Sequence, residues 1–229
     1  MTKPDIHAVV FDLDGLLVDS EPVQIEAWRD FLGRYGRELD QALLNRLYGL
    51  RVWDTARVLI EELGLDLSVD EVVEQRDSRF FELLPGRLHA MPGASEVVRS
   101  LSDMRVRLGL ATSGHRRYVD VVLDALDLQG MFEIEVTGDM VERGKPSPDI
   151  YLSAAERLTL ASSVCLALED APNGIASAKS AGMWCLAVPN HMTASIEGFD
   201  RADAVLESLN DVLPWLDSHA SLHADRSSL

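Results

Sequence analysis

The sequence predicts an α/β fold: a parallel sheet with helices on both faces, interrupted by an inserted helical unit. Three observations predict it. Ala8-Val9-Val10-Phe11 is an unbroken apolar run, partly β-branched, the pattern of a strand buried on both faces. From about residue 20 to 84 the spacing is helical, with no strand-like alternation. From residue 94 onward, helix-like and strand-like stretches alternate, which implies parallel strands joined by crossover helices.

The elements follow in order. After the first strand, Trp28, Phe31, Leu32 and Tyr35 share one helical face, and Gly36 stops the run. Asp40 caps a short helix with Leu43, Leu44 and Leu47 inward. Val52, Ala56, Leu59, Ile60 and Leu63 repeat the helical spacing up to Gly64. Ser68 and Glu71 form a capping box that opens a helix carrying Val72, Val73, Phe80, Phe81 and Leu84. Four successive amphipathic helices read as a small bundle. Beyond two Pro-Gly pairs, at 85–86 and 92–93, the spacing predicts a helix over 94–103 and a strand over 106–111. A helix over 116–126, a short strand over 134–136 and a helix from Pro148 follow. Then come a strand over 164–168, a helix over 172–181, strands at 184–188 and 204–205, and a helix over 209–216. The expected organisation is an α/β core of residues 1–19 and 86–218, an inserted helical unit of residues 20–85 and a flexible polar tail of residues 219–229. The Pro-Gly flanks are either hinges or plain connecting loops.

Composition bounds the function. The chain has 229 residues and a formal net charge of −17, which argues against nucleic acid or an anionic membrane as partner. No apolar run reaches the roughly 18 residues of a membrane span, and the N-terminus lacks a signal-peptide core. Cys165 and Cys185 lie in apolar runs and read as buried thiols in a reducing compartment, with a disulfide as the alternative. The expected location is the cytoplasm.

Ligands of an open parallel sheet bind at the carboxyl ends of its strands. Four polar clusters fall there: Asp12 and Asp14; Thr112, Ser113 and Gly114; Gly144-Lys145-Pro146; and Glu169 with Asp170. Singly, each is an ordinary loop or cap feature. Together they bring acids, a hydroxyl, amide donors and one fixed cation to one place.

In these motifs, FDLDG, LATSG, GKPSPD and LEDAPNGIASAKSAGM, the chain resembles the haloacid dehalogenase superfamily, in its phosphatase branch with a helical cap after the first strand. The resemblance spans residues 8–216. It implies a Rossmann-like core and a magnesium-dependent enzyme that forms an aspartyl phosphate. By it, Asp12 is the nucleophile and Asp14 the general acid, then base. Thr112 and the Ser113 amide hold phosphoryl oxygens, and Lys145 neutralises charge and steadies Asp12. The magnesium ligands are Asp12, the Asp14 carbonyl and Asp170, with Glu169 binding directly or through water. Asp14 also marks phosphoryl chemistry over halide displacement, since a halide leaves without a proton.

The alternative within the family is a β-phosphoglucomutase, which usually carries a histidine and a Lys-Gly in the cap. Here those positions appear as Gln24 and Tyr48-Gly49, with Arg46 and Arg51 near enough to compensate. A receiver-like phosphoacceptor is a more distant alternative, disfavoured by the insertion and by Asp14. The expected partner is a small phosphorylated metabolite, such as a sugar phosphate, bound by a monomer. Glu21, Gln24, Arg46, Tyr48, Arg51, His115 and Arg116 are the candidates for reading it.

Overall fold

The computed structural model describes residues 3–224. Strands β1 (Asp5–Ile6), β2 (Ala8–Phe11) and β3 (Val18–Asp19) lead into four helices. These are α1 (Glu21–Gly33), α2 (Gln41–Leu47), α3 (Val52–Leu63) and α4 (Val69–Leu83). The chain returns through β4 (His89–Ala90) to α5 (Ala94–Asp103), β5 (Arg107–Ala111), α6 (Arg116–Ala125) and β6 (Ile134–Val136). Then follow α7 (Asp149–Arg157), β7 (Cys165–Glu169), α8 (Pro172–Ser180), β8 (Trp184–Ala187), β9 (Ala204–Val205), α9 (Val212–His219) and β10 (Ser221–Leu222).

Six of the strands form one parallel sheet in the order β6-β5-β2-β7-β8-β9. Strand β2 is central, and its residues divide between two cores. Val9 and Phe11 pack with residues of α5, α6 and α9, while Ala8 and Val10 pack with residues of α7 and α8. This is why all four residues of the run are apolar. After β2 the chain builds the sheet first toward β5 and β6, then crosses back to β7 on the other side. The crevice beyond the end of β2 is therefore the topological switch point, where such sheets bind ligands.

Helices α1–α4 form their own core around Trp28, Phe31, Leu32, Leu44, Leu59 and Val72. Their ends follow the local chemistry. Asp40 accepts from the Leu43 amide at 2.7 Å, and Ser68 and Glu71 cap each other reciprocally. Tyr35 departs from expectation: α1 ends at Gly33, and Tyr35 lies beyond it, exposed, donating to Gln75.

Three further details differ from the sequence reading. The two crossings into the cap pair as an antiparallel ribbon, Val18 with Ala90 and Asp19 with His89. Unlike the apolar pair Ala204-Val205, Val18-Asp19 and His89-Ala90 each join an apolar to a polar residue and do not read as strands. The stretch over 209–216 opens as a 3₁₀ turn, and its α-helix runs on to His219. The tail is not wholly unstructured. Ser221–Leu222 pairs in parallel with Asp5–Ile6, because Ala220 and Leu222 are apolar and pack on the main core. Residues 225–229 of that tail lie outside the described residues. Cys165 and Cys185 are buried free thiols, and burial pushes the Cys165 thiol up to about 11. Among the described residues no helix is long and apolar enough to cross a membrane.

Candidate active site

Asp12 is the first residue past β2, and its amide still donates to Leu168 O at 3.0 Å. Strand pairing thus fixes the backbone just where the side chain enters the crevice. Lys145 reaches the same point from the loop before α7. Its ammonium donates to Asp12 Oδ1 at 2.5 Å, Glu169 Oε1 at 2.6 Å and Ala111 O at 3.1 Å. Glu169, the last residue of β7, also accepts from the Tyr151 hydroxyl at 2.6 Å. Asp170 follows, and its Oδ2 accepts from the Asn190 amide at 2.9 Å.

Asp12, Glu169 and Asp170 are all buried and place one carboxylate oxygen each within 4.8 Å of the others. One lysine does not balance three acids. Burial pushes the Asp12 carboxyl up to about 8; Lys145 pulls it down, and Glu169 and Asp14 push it further up. Burial and the Asp12 and Glu169 charges likewise hold Asp170 far above the carboxylate range. Burial works against the Lys145 ammonium, but Asp12 and Glu169 outweigh it and raise its pKa. An excess of buried negative charge on oxygen donors alone suits a hard divalent cation such as magnesium.

Two glycines make room for this cluster. Gly15 turns with φ +80°, and a Cβ there would stand 2.3 Å from Asp170 Oδ2. At Gly174, in the first turn of α8, a Cβ would fall 2.0 Å from the Glu169 carboxyl. Gly174→Ala is expected to displace Glu169 from Lys145 and Tyr151. The expected cost is roughly 1–3 kcal/mol, the range for overpacking a filled interior, readable by urea denaturation.

Asp14 lies beside the cluster. Its Oδ1 accepts from Ser20, Tyr118 and Gln24, and its Oδ2 lies 3.5 Å from the Thr112 hydroxyl. Thr112 is buried and its oxygen accepts from the Gly114 amide at 3.0 Å. The Ser113 hydroxyl donates to Gly49 O of the cap at 2.8 Å, so its backbone is what it offers the crevice.

The cap closes over these groups. Asn173 donates to Tyr48 O, and His115, which caps α6, pairs with Asp77. A cavity of about 120 Å³ remains between cap and core. Glu21, Gln24, Tyr48 and His115 line it, together with Asp12, Asp14, Ser113, Lys145, Glu169 and Asp170. Glu21 is buried with Oε2 unpartnered among the described residues. Burial, with the Asp14 and Asp19 charges, pushes its carboxyl up to about 8.

Three expected substrate contacts are engaged elsewhere. Arg51 is placed away from the cavity: its guanidinium grips Asp54 and donates to Gly138 O at 3.2 Å and Val141 O at 3.0 Å. It fastens cap to core, because the start of α3 faces the loop after β6. Arg46 pairs with Glu62 at the surface, and Arg116 with Glu135 and Asp120. A cap cation that does line the cavity, alongside Lys145 of the core, is Arg76, which the sequence reading passed over. It is buried, donates to Gln24 Oε1 at 2.5 Å and to Asp77 at 2.8 Å, and lies over the Trp28 and Phe80 rings. The signal existed: Arg76 stands four residues from both Val72 and Phe80, on the inward face of α4. Tyr118 and Tyr151 were passed over for the opposite reason, since aromatic residues at core spacing read as packing.

Fold and site together define a hydrolase of the phosphatase class. The comparisons agree. A family model described as haloacid dehalogenase-like hydrolase matches residues 6–182, and the chain belongs to that family. A (DL)-glycerol-3-phosphatase of Arabidopsis thaliana is 34% identical over 220 residues, covering 93% of this chain and 91% of that protein. A phosphorylated carbohydrates phosphatase of Thermotoga maritima is 33% identical over 219 residues, covering 94% and 92%. The crystal structure of CbbY from Rhodobacter sphaeroides in complex with phosphate superposes with a TM-score of 0.82 at 27% identity, covering 93% of this chain and 99% of that one.

Proposed function

We propose that the protein is a magnesium-dependent phosphomonoesterase of small polyol or sugar phosphates, working through an aspartyl phosphate on Asp12. The carrying observation is the buried contact of Asp12 with Lys145, beside Glu169 and Asp170, at the switch point of the sheet. Asp12, Asp170 and the Asp14 carbonyl would hold the metal, with Glu169 beside them. When bound, the metal supplies the charge relief that lets an anionic nucleophile approach an anionic ester.

The chain's own groups account for the rest. Lys145 orients Asp12 and offsets charge on the phosphoryl oxygens. Thr112 and the Ser113 amide hold those oxygens. Asp12 attacks phosphorus as Asp14 protonates the leaving oxygen. Asp14 then takes a proton from the water that attacks the phosphorus of the aspartyl phosphate, freeing Asp12. Glu21, Gln24, Tyr48, His115 and Arg76 face the leaving group. Their hydroxyl-binding character supports a polyol, and the phosphatases named above act on phosphates of that kind. Hydrolysis is favoured over phosphosugar mutation because Arg46 and Arg51 are engaged with acids and carbonyls away from the cavity.

The test is phosphate release from sugar phosphates, glycerol 3-phosphate, phosphoglycolate and nucleoside monophosphates, with magnesium or chelator, and with glucose 1,6-bisphosphate present or absent. The expected result is magnesium-dependent release, greatest from small polyol phosphates. Undiminished release under chelation contradicts the metal assignment, and isomerisation of β-glucose 1-phosphate outpacing release contradicts the hydrolase reading.

A further inference from the structure

Asp14 is held asymmetrically. Oδ1 accepts from the Ser20 hydroxyl at 2.5 Å, the Tyr118 hydroxyl at 2.5 Å and the Gln24 amide at 3.1 Å. Among the described residues, Oδ2 has only the Thr112 hydroxyl, at 3.5 Å. A carboxylate oxygen has about two lone-pair sites, so three donors saturate Oδ1. Oδ2 is the oxygen left for a reacting proton, and it is the one on the side of Thr112.

The three donors differ in rigidity and origin. Ser20 and Gln24 sit at the root of the cap and on its first helix. Tyr118 belongs to the core, on α6. It is buried, and its ring packs against Phe80 of the cap at 5.3 Å between centroids. An ordinary phenol is a donor throughout the neutral range. Core packing therefore aims a fixed donor at Asp14.

We infer that Tyr118 is a positioning residue for proton transfer: its hydroxyl fixes Asp14 Oδ1 so that Oδ2 delivers the proton to the leaving oxygen and recovers one from water. This rests on the phosphatase reading above. In the step it serves, the bond from Asp12 to phosphorus forms, the bond from phosphorus to the ester oxygen breaks, and that oxygen takes the proton from Asp14 Oδ2. In the next step water attacks phosphorus, its proton returns to Oδ2, and the Asp12 carboxylate is released.

The role predicts sensitivity to the leaving group. An alkoxide needs a proton to leave, whereas p-nitrophenolate leaves without one. Tyr118→Phe keeps the ring and removes only the hydroxyl. Its kcat/KM for an alkyl ester, glycerol 3-phosphate, is expected to fall roughly 10- to 100-fold, part of the 10²–10⁴-fold general-acid contribution. Its kcat/KM for p-nitrophenyl phosphate is expected to change less than about 3-fold, because that barrier does not include the proton. A loss shared equally by both esters, or no loss with either, overturns the role while leaving the phosphatase reading intact. Wild-type protein that releases no phosphate from either ester overturns both. If thermal melting shows Tyr118→Phe unfolded at the assay temperature, Tyr118→Met, which also lacks the hydroxyl, is expected to give the same split, and an equal loss there overturns the role.

Discussion

Asp12→Asn is expected to abolish turnover, by roughly 10⁴-fold or more, the scale set by removing a covalent nucleophile. The amide has the same shape but cannot accept a phosphoryl group. The fold is expected to survive, because Lys145 keeps Glu169 and Ala111 O as partners. The substitution also changes how stability depends on pH. The Asp12 pKa is raised in the folded chain, from 3.8 to about 8, mainly by burial. A carboxyl raised in this way stabilises the fold below its unfolded pKa and loses that contribution as pH rises through the folded one. Metal-free wild type is therefore expected to lose melting temperature between about pH 4 and 8, and Asp12→Asn to lose less. Magnesium, which needs ionised ligands, is expected to raise the wild-type melting temperature more at the alkaline end. A circular-dichroism melt series in chelator and in magnesium checks both. A variant whose pH slope matches wild type would contradict the burial argument.

Lys145→Met is expected to damage stability as well as activity. Methionine fills the volume but leaves Asp12 and Glu169 buried without their shared cation. Breaking a buried pair on one side costs about 3–5 kcal/mol, and losing a donor at the transferring group costs roughly 10²–10³-fold in kcat. The double variant with Asp12→Asn is expected to recover part of the lost stability, since contacting charges do not act additively. Urea denaturation of the four proteins gives the cycle. Lys145→Met within about 1 kcal/mol of wild type, far below the penalty for breaking a buried pair, would contradict the role of Lys145 as the cluster's counter-charge.

Much of this site was legible because strand ends leave a simple signature. An apolar run followed by Asp12 and Asp14, and a second run followed by Glu169 and Asp170, locate the crevice from the sequence. The cap was legible in its helices and caps, Asp40, Gly64 and Ser68 among them, since those depend on neighbours a few residues away. What was not legible depends on side-chain direction across long separations. Arg51 and Arg76 are both cap arginines, yet one turns out to fasten the cap at Gly138 and Val141 and the other to line the cavity. Nothing local distinguishes them except helix face, which was overlooked for Arg76. Tyr118 meets Asp14 across 104 residues of sequence, and no spacing rule connects them. The ribbon between β3 and β4 was not legible, because each strand joins one apolar and one polar residue and carries no apolar run.

Borohydride trapping during turnover addresses the covalent chemistry most directly. Sodium borohydride reduces an acyl phosphate to the alcohol, so a phosphorylated aspartate becomes homoserine. In protein quenched during turnover of a phosphate ester with magnesium, peptide mass spectrometry is expected to find homoserine at position 12 and aspartate at 14, 169 and 170. An enzyme that turns over but is trapped at another carboxylate, or at none, would contradict the assignment of Asp12 as the residue that carries the phosphoryl group.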